Sequence, residues 1–126
     1  KRRNFVPRPI KCRKVCCLPK NCEFRPIGRV FNAQDFVVMS VDEYEAIRLI
    51  DHEGFTQEKC GEYMGIARTT VQEIYCSARK KMSIALVDAR PLKIDGGEYE
   101  LCDGSEKICR CGGCKKHRKH IEINKI

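Results

Sequence analysis

At 126 residues, the chain has the length of one domain with a modest core and falls short of two independent ones. Its net charge of +8 is uneven: residues 1–30 carry ten Lys/Arg against one Glu, residues 31–101 eight against thirteen acids, and residues 102–126 seven against three. No apolar run has the length of a signal peptide or a membrane span, which argues against a membrane protein and, despite ten cysteines, against a secreted disulfide scaffold. The expected setting is the cytoplasm, with thiols reduced or bound to metal. Two basic arms able to reach a polyanion flank a slightly acidic folded body.

Four prolines (Pro7, Pro9, Pro19 and Pro26) and the lack of an apolar period predict an extended arm over residues 1–35. A helical domain is expected over residues 36–90. Phe36-Val37-Val38-Met39 opens it as a short strand or as an apolar segment packing down before the helices. Ser40-Val41-Asp42-Glu43 has the form of a capping box, and Val41, Tyr44, Ile47 and Ile50 follow at helical spacing. A helix over about 41–52, stopped by Gly54, is the expectation. Thr56 is a second N-cap, with Glu58 in the first turn, for a helix running to about Met64. After Gly65, the positions Val71, Ile74, Tyr75, Ala78, Met82 and Ala85 describe one face of a long helix over about 68–87. Leu92-Lys93-Ile94 and Tyr99-Glu100-Leu101 flank Asp95-Gly96-Gly97, a composition suited to a short β-hairpin over residues 91–101. A Cys- and Lys-rich tail over residues 102–126 completes the chain. The fold class expected from these elements is mainly α, with appendages.

The pair of helices over about 57–76 carries the functional reading, because two helices joined by a three- to four-residue turn containing Gly make a helix-turn-helix. Gly61 within the first helix costs about 1 kcal/mol relative to Ala, which a close crossing of the second helix explains. Gly65 allows a positive φ in the turn. Cys60, Met64, Ile66, Val71 and Ile74 form the expected small core between them.

DEYEAIRLID, FTQEKCGEYMGIARTTV and SARKKMSIAL, between Asp42 and Leu86, resemble the promoter-reading C-terminal region of bacterial sigma factors. With PRPIKCRKVC and FRPIG before them and LKIDGGEYEL after, residues 7–101 resemble a small uncharacterised prokaryotic family of predicted DNA-binding proteins. That resemblance implies a helix-turn-helix core, duplex DNA as partner and a role in transcription. The family commonly has Ser where this chain has Ala67, and often a basic residue where it has Glu73.

In such a motif the second helix enters the major groove and its first outward-facing side chains touch base edges. By spacing these are Arg68, Thr69, Gln72 and Glu73, with Thr70 and Arg79 nearer the backbone. Arg68 suits a guanine edge and Gln72 an adenine edge, whereas Glu73 repels phosphate or accepts from a cytosine amine. Lys80 and Lys81 are the expected phosphate contacts. Two half-sites are the usual target, so a homodimer is expected.

Cys60 and Cys76 are expected as small apolar helix residues, with Cys60 in the core. Cys12, Cys16, Cys17 and Cys22 lie in the basic arm and Cys102, Cys109, Cys111 and Cys114 in the tail. Three thiolates and His117 fall within nine residues, with glycines that let the backbone close round an ion. Cys102 competes as fourth ligand. Zinc is the leading occupant and an iron–sulfur cluster the alternative; the two cysteine groups also have the option of sharing one site.

No nucleophile with its base, phosphate loop or open catalytic metal is recognisable, and no small-molecule substrate is implied, so an enzyme is not expected. His52, beside Asp51 and Glu53, reads as a surface residue. The competing function is an RNA- or protein-binding module that uses the basic arms, with a purely structural metal; the aromatic platform of single-strand RNA binders is missing.

Overall fold

The computed structural model describes residues 13–102. In chain order these form β1 (Arg13–Val15), β2 (Glu23–Phe24), a 3-10 turn (Ala33–Asp35), β3 (Val37–Met39) and α1 (Val41–Ile47), which runs on as a π-helical turn (Arg48–His52). Next come α2 (Gln57–Met64), α3 (Arg68–Val87), β4 (Leu92–Ile94) and β5 (Tyr99–Leu101). About 48% of the described residues are helical and 16% are in strands, so the fold is mixed α/β and the expectation of a mainly α fold is corrected.

Local signals set the helical boundaries. The Ser40 hydroxyl accepts from the Glu43 N–H while the Glu43 carboxylate accepts from the Ser40 N–H at 2.9 Å, closing the capping box that starts α1. The Glu53 N–H donates to the Arg48 carbonyl, five residues back, which widens the last turn, and Gly54 (φ 81°) ends it. The Thr56 hydroxyl accepts from the Lys59 N–H at 3.0 Å to start α2.

The strands are where the structure departs from the sequence-based expectation. β4 is the centre of a three-stranded sheet, antiparallel to β2 and parallel to β3, whereas β5 pairs in parallel with β1. β4 and β5 therefore make no hairpin. Gly96 (φ 75°) and Gly97 (φ 97°) instead turn the chain across the start of α1, where the Val41 N–H donates to the Gly96 carbonyl at 2.9 Å. A Cβ at Gly97 would collide with the Ser40 and Asp42 side chains. The parallel β3–β4 pair needs a long crossover, and the three helices supply it.

Arg13 onward is likewise no loose arm. Val15 is fully buried with Met39, Val41, Ala78 and Ile94, and Cys16 packs with Leu49, Phe55, Cys60, Tyr63 and Met64. Three acids of α1 reach out to hold neighbours: Asp42 takes the Arg13 guanidinium, Glu43 takes Ser77 and Lys81 of α3, and Glu45 accepts from the Cys16 N–H at 2.8 Å. Glu45 is wholly buried and is also met by the Arg48 Nε at 2.6 Å. Buried carboxylates persist only when paired in this way.

Candidate nucleic-acid interface

α2 and α3 are joined by the turn Gly65-Ile66-Ala67. Gly65 adopts the left-handed conformation at φ 72°, and the Gly61 carbonyl accepts from the Gly65 N–H and from the Ile66 N–H at 3.0 Å. At Gly61 a Cβ would lie 2.8 Å from the Ile66 carbonyl oxygen and 3.3 Å from Val71 Cγ2. The glycine therefore admits the turn backbone as well as α3. Cys60, Met64, Val71 and Ile74 are buried between the helices, with Ile66 packed at the edge. Burial and the nearby Glu45 carboxylate, in that order, push the Cys60 thiol up to about 12, so it stays protonated and serves as packing.

α3 buries Val71, Ile74 and Ala78 on one side. Arg68, Gln72, Cys76, Arg79 and Ser83 recur at intervals of three and four on the other and are exposed, flanked by the exposed Thr69, Glu73 and Lys80. Thr70 is half-buried and faces away from that stripe. Ala67 supplies no side-chain cap, so the first N–H groups of α3 are left without one.

Two of the basic side chains have partners within the fold. Lys81 Nζ lies 2.6 Å from Glu43 Oε1, so Lys81 is a strut between α3 and α1 as well as a partly exposed cation. Burial opposes charge on Glu43, but the hydrogen bonds from Lys81, the Ser40 N–H and the Ser77 hydroxyl outweigh it and hold the carboxyl below its usual 4.5. The Arg79 guanidinium sits 5.4 Å from the Tyr75 ring centroid, and the Tyr75 hydroxyl donates to Asp51 at 2.7 Å. That hydrogen bond, with some burial, raises the Tyr75 phenol.

Cys76 was expected as an apolar helix residue, yet it is exposed near the middle of the polar stripe. Its position between Gln72 and Arg79 at helical spacing was the signal that could have placed it there. Of the expected metal ligands, Cys102 is buried just beyond β5, its N–H donating to the Val15 carbonyl at 2.8 Å. Cys109, Cys111, Cys114 and His117 lie outside the described residues. Among the described residues no three His, Cys, Asp or Glu side chains are grouped to hold an ion. His52 is exposed, its Nδ1 2.9 Å from Glu53 Oε2. No helix of the described residues is long and apolar enough to cross a membrane.

Residues 2–102 match a family model described as protein of unknown function DUF134, and the chain belongs to that family. It is 54% identical over 116 residues to a UPF0251 protein of Desulfitobacterium hafniense strain Y51, covering 92% of each chain. A UPF0251 protein of Ruminiclostridium cellulolyticum is 43% identical across 94% of this chain and all of its own. One from Thermoanaerobacter pseudethanolicus is 41% identical over 102 residues, 81% of this chain and 86% of the relative. No solved structure matches.

Proposed function

We propose that this protein is a duplex-DNA-binding regulator without catalytic activity, in which α2, the Gly65 turn and α3 work as a helix-turn-helix. One observation carries the reading: the first two turns of α3 hold Arg68, Thr69, Gln72 and Glu73 in solvent while the opposite side of the helix is locked into the core. A helix so arranged can enter a major groove without giving up any packing. Arg68 then reads a guanine edge and Gln72 an adenine edge, while Glu73 selects against phosphate or accepts from a cytosine amine. Arg79, Lys80 and the basic terminal segments supply the sequence-independent attraction to phosphate. One helix pair covers one half-site, so two copies occupy half-sites about 34 Å apart.

The test is fluorescence anisotropy of the full chain with a randomised duplex pool and with single-stranded RNA, across a salt series, followed by sequencing of the retained duplexes. Preferential duplex binding that weakens with salt, with base preference lost in Arg68→Ala, is expected. No duplex binding at low salt, or tighter binding to RNA, overturns the reading.

A further inference from the structure

Along one row of α3, at intervals of four residues, the helix climbs out of the core: Ala78 is 0% exposed, Met82 42% and Leu86 84%. The face that is buried at Val71, Ile74 and Ala78 therefore runs on past the core, and with Val87 at 79% its last two turns present apolar side chains to solvent. A lone exposed apolar residue is ordinary, but a run of them with a polar rim marks a contact surface. The same end of α3 forms one wall of a hollow of about 280 Å³, with residues 29–35 opposite. The Arg90 Nε ties the two walls together by donating to the Asp35 carbonyl at 2.9 Å. Ala89 holds the left-handed conformation at φ 53°, a helix-end position that usually falls to glycine, and so adds a methyl group to the wall. Two arginines, Arg29 and Arg90, and two aspartates, Asp35 and Asp88, border the hollow, which leaves it neutral in a chain of net charge +8.

We propose that this end of α3 is the surface on which two copies of the chain pair about a two-fold axis, Leu86 of each copy entering the hollow of the other. A two-fold contact must be complementary to itself, and an apolar knob beside a hollow meets that condition. Charge selects the same partner. Two copies of a protein of charge +8 repel over most of their surfaces, whereas here the exposed Arg29 of one copy meets the exposed Asp88 of the other, twice over. The contact lies well away from the outward positions at the start of α3, because 18 residues of helix separate Arg68 from Leu86 by about 27 Å. Two such helices meeting at their C-terminal ends reach up to about 54 Å between their first turns, which spans the roughly 34 Å between half-sites. In supplying the second half-site reader the pairing rests on the helix-turn-helix reading, but its existence is tested without DNA.

Sedimentation equilibrium of the full chain, under reducing conditions and without DNA, should show the mass moving from one copy toward two as concentration rises through the micromolar range, as suits a small interface. Leu86→Asp should weaken association at least tenfold while leaving the circular dichroism spectrum unchanged, since the side chain is 84% exposed. Arg29→Asp and Asp88→Arg should each weaken it, and the double variant, in which the opposed charges are exchanged, should restore it. A chain that stays monomeric up to about 200 µM, a dimer indifferent to Leu86→Asp, or a double variant no better than the single ones overturns the proposal. Leu86→Asp should still bind a duplex carrying one half-site as the parent does. Failure of the helix-turn-helix reading shows differently, as a parent that dimerises and binds no duplex.

Discussion

Glu43 and Lys81 are 38 residues apart in sequence and form an ion pair of 2.6 Å that fastens the first turn of α1 to the middle of α3. The same carboxylate closes the capping box and accepts from Ser77, so one acid fixes where α1 begins and how α3 lies against it. Because these partners hold the Glu43 carboxyl below its unfolded value of 4.5, their contribution is fully present above that pH and is lost as pH falls through the lower folded value. Glu43→Gln should cost about 1–3 kcal/mol at pH 7 and flatten the acid limb of the stability profile. Urea midpoints measured from pH 7 down to pH 3 check this; an acid limb unchanged in the variant would refute it.

Gly61→Ala tests the close approach of the turn to α2. The gain in helix propensity is about 1 kcal/mol, but the new methyl meets the Ile66 carbonyl, a backbone atom that cannot swing aside. Overpacking of this kind costs about 1–3 kcal/mol, so net destabilisation is expected in thermal unfolding. A stabilised variant would show that the turn can yield.

Ala67→Ser should stabilise the domain by about 1 kcal/mol, because the introduced hydroxyl can accept from an uncapped N–H of α3. For a described body of 90 residues this corresponds to a rise in Tm of about 4–8 °C. Calorimetry on the two proteins decides the matter; an unchanged Tm would mean that the α3 N–H groups are already satisfied.

Lys80 and Lys81 should separate in function although they are adjacent. Lys80 is exposed, so Lys80→Ala should reduce the salt slope of duplex binding by about 1. Lys81 is engaged by Glu43, so Lys81→Ala should mainly lower stability and change the slope less. Equal losses of slope would place both side chains on phosphate.

Maleimide labelling at neutral pH, mapped by mass spectrometry, should modify Cys76 readily and leave Cys60 intact. Cys76 is exposed, while Cys60 is buried with its thiol pushed up to about 12. An adduct on Cys76 sits in the middle of the polar stripe of α3 and should lower duplex affinity at least tenfold, about 1.4 kcal/mol. Undiminished binding by the labelled protein would remove that stripe from the interface.

What was legible in the sequence was what a few neighbouring residues decide. Ser40 with Glu43, Thr56, Gly65 and the apolar period from Val71 place the three helices to within a residue or so at most ends, because caps and periodicity act over one or two turns. The outward positions of α3 followed from the same period. The strands were not legible: β1 finds its partner 86 positions away, and Asp95-Gly96-Gly97 reads as a hairpin turn unless one knows that Ser40 and Asp42 lie beneath it. Nor did the acids of α1 advertise burial, since the partners that make burial tolerable for Asp42 and Glu43, namely Arg13, Ser77 and Lys81, lie 29 to 38 residues away.

The parallel pairing of β1 with β5 also sets a timetable for synthesis. Val15 and Cys16 leave the ribosome well before the strand that closes over them, which is among the last described segments to be made. Until residue 101 has emerged, a nascent chain exposes an unpaired strand edge and the cysteines beside it. A transcript truncated before Tyr99 would yield helices with their caps but no closed body, and its product should be cleared by proteases rather than accumulate.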